Sequence, residues 1–176
     1  MPAPKTLPVA EIHSAIDRLA RAIAERHPPT GSLLLLGIAN GGIELARRLA
    51  AQLGAKTGIL DISFHRDDID RNPIPKEFVP TRIPVDVTGS TVILIDDVLF
   101  SGRTVKAALD ELFDHGRPAK VELAILIDRT GRKLPVAADY TGVALDVSER
   151  CKVVVKLDAA KPARDSVTIL PFKPSA

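Results

Sequence analysis

Apolar residues recur at Ile12, Ile16, Leu19 and Ile23 along residues 8–27, with Arg18, Arg21, Glu25 and Arg26 on the other faces. Spacings of three and four predict an amphipathic helix, ended by Pro28, Pro29 and Gly31. "LLLLGI", residues 33–38, is continuously apolar and predicts a buried strand. "ANGG" makes a tight turn. A second helix follows over 43–53, with Ala46, Leu49, Ala50 and Leu53 inward and Gly54 closing it. "TGILDISF", 57–64, is another strand. "TVILID", 91–96, is the central strand, and 103–115 a helix with Val105, Ala108, Leu109 and Leu112 on one face. "VELAILID", 121–128, is the next strand. "RTGRKLPVAADY" reads as a turn-rich crossing, and "KVVVKL", 152–157, and "SVTIL", 166–170, as late strands. Strands and helices alternate. That order predicts an α/β fold, a mostly parallel central sheet flanked by helices, in a single domain over 1–176.

One stretch breaks the alternation. "HRDDIDRNPIPKEFVPTRIP", 65–84, is charged and carries Pro73, Pro75, Pro80 and Pro84. Proline removes ladder donors and fixes φ, so this is an excursion with at most a partly formed β-arm. Loops of this length in compact domains are usually functional.

Composition narrows the class. Of 176 residues, 45% are hydrophobic and 26% charged, with 3% aromatic and no Trp. Ile, Val, Leu and Ala therefore fill the core, as suits a parallel sheet. The net charge of +2 neither demands nor excludes a polyanionic partner. A single cysteine, Cys151, excludes an intrachain disulfide and a multi-cysteine zinc site. The four histidines, at 13, 27, 65 and 115, show no metal-ligand spacing and read as surface or turn residues. The first residues lack a continuous apolar region, and no run approaches the roughly 20 residues of a membrane span. A cytoplasmic protein with no membrane partner is expected.

The chemistry concentrates in "VILIDDVLFSGRT", 92–104. An apolar strand ends in Asp96 and Asp97, and Ser101-Gly102-Arg103-Thr104 leads into a helix. Ligands of open parallel sheets bind at the carboxyl ends of strands. A helix N-terminus offers free N–H groups and partial positive charge to a phosphate, and Gly102 allows close approach. Ser101 and Thr104 add hydroxyls, and Arg103 adds charge. An acidic tip beside an anion cradle suits a phosphorylated sugar with Mg²⁺. The alternative is structural, with the aspartates capping a turn and Ser101 capping the helix. A P-loop sequence and a G-x-G-x-x-G fingerprint are both absent.

This stretch resembles the 5-phosphoribosyl-1-diphosphate (PRPP) motif of type I phosphoribosyltransferases. "LDISFHRDDI", "RIPVDVTG", "ALDELFDHGRPAKVELAILIDR" and "LPVAADYTG" are similar to the bifunctional pyrimidine operon regulator and uracil phosphoribosyltransferase family, PyrR type, over roughly residues 10 to 158. The resemblance implies that fold, with a mobile loop near 65–84 and a small hood near 128–150. It implies that uracil and PRPP give UMP and diphosphate with Mg²⁺. Asp96 and Asp97 would hold the ribose hydroxyls and, through the substrate, the metal. Val98, Leu99, Phe100, Ser101, Gly102, Arg103 and Thr104 would cradle the 5-phosphate. Ala39, Asn40 and Gly41 would form the diphosphate loop, and Arg66 of the mobile loop would meet an anion. Arg66 with Asp67 and Asp68 also reads as a solvated ion-pair cluster.

The resemblance further implies binding of pyrimidine operon leader RNA through Arg18, Arg21 and Arg132, tuned by UMP or UTP, in a homodimer or homotetramer. A solvated helix face is the plainer reading of Arg18, Arg21 and Arg26. Three positions depart from the family pattern. Gly41 stands where an arginine is usual, Asp17 where a hydroxyl is usual and Gly131 where a histidine is usual. The first predicts weaker leaving-group stabilisation. Two alternatives therefore stand beside the main reading, a catalytically weak nucleotide-sensing regulator and a transferase for another base.

Overall fold

The computed structural model describes residues 5–28, 33–65 and 79–171. The elements in chain order are β1 (Lys5–Thr6), α1 (Val9–Arg26), β2 (Leu33–Ile38), α2 (Gly42–Leu53), β3 (Lys56–Leu60), β4 (Thr91–Leu99), α3 (Arg103–Asp114), β5 (Lys120–Arg129), β6 (Tyr140–Leu145), β7 (Cys151–Lys156) and β8 (Ser166–Pro171). Five strands pair in the order β3-β2-β4-β5-β6, all parallel. β4 lies at the centre, with Leu36 opposite Leu94 on one side and Leu123 opposite Leu94 on the other.

Each face of this sheet is sealed by helices whose apolar stripes match it. Ile12, Ile16, Leu19 and Ile23 of α1, with Leu45 and Leu49 of α2, pack on Ile93, Ile95 and Leu126. Val105, Ala108 and Leu112 of α3 pack on Leu34, Leu36, Val92 and Leu94 of the opposite face. Burying both faces explains why these strands read as continuous apolar runs rather than alternating ones.

A second, three-stranded antiparallel sheet has the order β1-β8-β7. It joins the two ends of the chain, since Lys5 pairs with Ile169. The span 128–150, named above as the hood, contributes to the main sheet. Its residues 140–145 are the fifth strand of the main sheet, and the small sheet takes Cys151–Lys156 from just beyond it. Sequence patterning predicts no strand over 140–145, because Gly142 interrupts a short apolar run. A Cβ at Gly142 would lie 2.7 Å from the Leu126 carbonyl and 3.3 Å from the Ala15 methyl, so the glycine serves the packing of α1 on β6.

The excursion after β3 returns with a partly formed β-arm. Arg82 exchanges both backbone bonds with Ile59, at 2.8 and 2.9 Å. Gly58 admits that approach, because a Cβ there would meet the Arg82 carbonyl at 2.4 Å. Residues 66–78, and with them Arg66, lie outside the described residues.

Candidate active site

β4 delivers two carboxylates to the carboxyl edge of the sheet. Strand alternation sends Ile93 and Ile95 to one face and Val92 and Leu94 to the other. Continuing it turns Asp96 toward the α3 side and Asp97 toward α2. Asp96 is 5% exposed, and its Oδ1 accepts the Asp97 N–H at 2.9 Å. Burial and the neighbouring Asp97 charge push its carboxyl well above the usual range. Asp97 is also raised, by burial first of all. Two carboxylates that resist ionisation are held where a cation or sugar hydroxyls would relieve them.

The loop after β4 is braced from behind. The Phe100 carbonyl accepts from the Arg132 guanidinium, and the Ser101 carbonyl accepts the Lys133 and Leu134 N–H groups, both at 3.0 Å. Arg129 stacks 4.2 Å above the Phe100 ring and donates to the carbonyls of Cys151, Val147 and Ser148. Gly102, at φ +93°, turns the chain into α3. The first N–H groups of α3 have no intrahelical acceptors, as at any helix start. Ser101 Oγ takes the Arg103 N–H at 3.3 Å.

A second helix start meets the same place. Gly41 caps α2 and Gly42 opens it. A Cβ on Gly42 would fall 2.0 Å from the Ile95 carbonyl, and one on Gly37 2.8 Å from the Gly42 carbonyl. With nothing larger than hydrogen between them, β2, α2 and β4 bring the Ala39–Gly41 loop against Asp97. The Ala39–Asn40 peptide is cis. The result is a cleft of about 580 Å³ lined by Ala39, Gly41, Asp96, Asp97, Ser101 and Thr104, with Val98, Arg103 and Ile62 at its walls.

The sequence-predicted residues thus divide. Asp96, Asp97, Val98, Ser101, Arg103 and Thr104 converge with Ala39 and Gly41. Leu99 is buried in the core and Phe100 stacks under Arg129, so these two serve the loop through backbone. Arg132 bonds Asp128 at 2.5 Å and braces the loop. Arg18 donates to the Gly142 carbonyl at 2.8 Å and Arg21 to the Asp17 carbonyl at 3.4 Å, both from α1. One lining residue, Lys152 of β7, is missed by sequence reasoning. Its signal in "KVVVK" is alternation, with Val153 buried and Lys152 on the other face, but only the packing of the small sheet beside the cleft shows where that face points.

A family profile described as "Phosphoribosyl transferase domain" matches residues 8–158. The chain belongs to the phosphoribosyltransferase family. Two relatives place it further. The "Bifunctional protein PyrR" of Streptomyces coelicolor is 46% identical over 94% of this chain and 88% of its own. That of Chloroflexus aurantiacus is 45% identical over 84% of each. Within the phosphoribosyltransferases the chain therefore belongs with the PyrR proteins. The solved hypoxanthine-guanine phosphoribosyltransferase of Bacillus anthracis superposes with a TM-score of 0.67 at 17% identity, over 93% of this chain and 95% of that one, which establishes the shared fold. Among the described residues no helix is long and apolar enough to cross a membrane.

Proposed function

We propose that this phosphoribosyltransferase joins uracil to the ribose of PRPP, releasing diphosphate and UMP, and that it also regulates pyrimidine biosynthesis by binding operon leader RNA in response to UMP or UTP, as a homodimer or homotetramer. The observation that carries the enzymatic reading is the convergence of Asp96, Asp97 and two helix starts on one cleft. The regulatory reading is supported by 46% identity to a protein named bifunctional.

The chemistry follows from the lining. The 5-phosphate takes the α3 N-terminal N–H groups and the Ser101 and Thr104 hydroxyls. Asp96 and Asp97 accept from the ribose hydroxyls and offset positive charge developing at C1. The diphosphate lies toward Asn40–Gly41 and the start of α2, whose first N–H groups lack intrahelical acceptors; the Ala39 N–H is already given to the Leu60 carbonyl at 3.0 Å. As the C1–O bond breaks, its electron pair leaves with the diphosphate. The base nitrogen forms the new bond to C1, and its proton passes to solvent. Holding both reactants in line is the main contribution of the protein. The donor set fits Mg²⁺, since adjacent hard-oxygen carboxylates held above their ordinary range favour a divalent ion. Asp96 and Asp97 would hold it through the substrate, and when bound it would supply positive charge against the departing diphosphate.

A steady-state assay with PRPP, Mg²⁺ and a panel of bases tests the enzyme. UMP from uracil, with purines inert, is expected; turnover of a purine in preference to uracil refutes the assignment. A gel shift on a pyrimidine leader hairpin tests the regulator, whose affinity should fall with salt and change with UMP. Gly41 specifically favours a second reading, in which chemistry is slow and the site mainly senses nucleotides. Tight UMP-dependent RNA binding with negligible turnover would select it.

A further inference from the structure

Away from the cleft, the fold gathers a histidine and two carboxylates that sequence spacing does not connect. His65 Nε2 lies 3.2 Å from Glu111 Oε2 and 3.2 Å from Asp114 Oδ2. Among the described residues these three alone bring one ligand atom each within 4.8 Å of one another as a group of His, Cys, Asp or Glu. Glu111 and Asp114 are three apart on α3 and so share one face. His65 comes from the turn after β3, where its N–H bonds the Ile62 carbonyl at 3.0 Å.

We infer that His65, Glu111 and Asp114 form a binding site for a divalent transition-metal ion of the zinc class. Three observations carry this. The two 3.2 Å separations match the edges of a tetrahedron with bonds of about 2.0–2.1 Å, the range for zinc with imidazole and carboxylate. One Nε2 equidistant from two oxygens is also poor geometry for a single N–H donor, which prefers one acceptor near linearity. Finally, the oxygen of Glu111 that faces away is held by an outer set of partners. Its Oε1 accepts the Thr81 hydroxyl at 2.6 Å and lies 3.1 Å from His115 Nε2, while Thr81 Oγ1 itself takes the Asp61 N–H at 2.9 Å. Such outer partners orient a metal-binding carboxylate.

Three protein ligands leave a position for solvent. The ion would neutralise two converging carboxylates and pin the turn at His65 onto α3. That turn includes Ile62, a wall of the substrate cleft, so the site ties the cleft wall to the helix that starts at the phosphate loop. The inference stands independently of which base the enzyme uses.

The test is Co²⁺ titration of chelator-stripped full-length protein, followed by visible absorption, with Zn²⁺ competing. One equivalent should bind with the intense bands of a low-coordinate nitrogen and oxygen site, and Zn²⁺ should displace it and raise the Tm. His65→Ala and Asp114→Asn should each weaken binding at least about tenfold. Asp114 is 68% exposed, so its substitution leaves packing intact. Asp110→Asn, on the same helix but paired with Lys106, should change nothing. Absence of stoichiometric Co²⁺ bands, or bands that persist in both His65→Ala and Asp114→Asn, would overturn the site and leave only a histidine bridging two carboxylates by hydrogen bonds.

Discussion

The Asp97 carboxylate occupies the space that a side chain at Gly41 would enter. A Cβ on Gly41 would lie 2.5 Å from Asp97 Cγ and 2.6 Å from each of its oxygens. Gly41 itself has ordinary helical dihedrals, at φ −62° and ψ −36°, so backbone conformation does not require glycine here; the approach of Asp97 does. Gly41→Ala should therefore displace the carboxylate while leaving the backbone in place. Folding stability should change by less than about 1 kcal/mol, because the group that moves is the end of a partly exposed side chain. Transferase kcat/KM should fall about tenfold or more. Urea melts beside steady-state kinetics check both, and an unchanged kcat/KM would show that the position of Asp97 does not matter.

Asp97→Asn separates function from stability in the opposite sense. Burial raises the Asp97 carboxyl above its ordinary 3.8. A group raised in the folded state contributes fully below the unfolded value, and that contribution is lost as pH rises through the folded one. Ionising the pair therefore costs stability in the ligand-free protein as pH rises. The asparagine variant should gain on the order of 1 kcal/mol at neutral pH, and its stability should fall less as pH rises from about 4. Turnover should be lost, and PRPP with Mg²⁺ should no longer raise the Tm. A variant less stable than wild type at pH 7 would contradict the strain assigned to the pair.

The part of this site that lies on one continuous segment is legible in the amino-acid sequence alone. "VILIDDVLFSGRT" runs from buried strand to helix start, so Asp96, Asp97, Ser101 and Thr104 are neighbours through local geometry. The central sheet is legible for a similar reason, since strands buried on both faces leave unbroken apolar runs. What escapes a reading of the sequence depends on packing between distant segments. Gly142 interrupts an apolar run, and only the approach of Ala15 and Leu126 explains it. The two-residue strand at Lys5 has no periodicity to detect, so the small sheet cannot be assembled from pattern. His65 lies far from Glu111 in sequence, and no spacing rule reaches across β4.

Lys152 illustrates the same limit and yields its own prediction. It reaches the cleft from β7 and supplies positive charge to a site that has no side-chain cation in its 39–41 loop. An exposed ammonium near a phosphate or diphosphate oxygen forms a charge-assisted bond worth about 1.5–3 kcal/mol. Lys152→Met should raise the KM for PRPP roughly tenfold and reduce its salt dependence, with the KM for the base nearly unchanged. Should the KM for the base rise instead, Lys152 belongs to the base pocket and not to the phosphate side.

Glu122, at the far end of the sheet, is expected to contribute to acid stability. It is 2% exposed at the start of β5. Around it stand the Tyr140 hydroxyl at 2.7 Å, His27 Nε2 at 2.6 Å, Lys120 Nζ at 2.5 Å and Arg26 at 3.7 Å. Burial works against its charge, yet the Lys120, Tyr140 and His27 contacts outweigh burial and bring the carboxyl from 4.5 down to about 2. A depressed carboxyl contributes fully above its unfolded value and loses that contribution as pH falls toward the folded one. Wild type should therefore lose stability between about pH 4.5 and pH 2. Glu122→Gln should cost about 1.5–3 kcal/mol at pH 7, since it weakens the charge-assisted contacts of a buried carboxylate while the half-exposed Lys120 and Arg26 stay solvated, and should flatten the acid limb. Turnover per folded molecule should stay at the wild-type value, because the cleft lies at the opposite, carboxyl ends of the strands. Urea unfolding across that pH range measures the slope; a variant retaining the wild-type acid limb would assign it to other carboxylates.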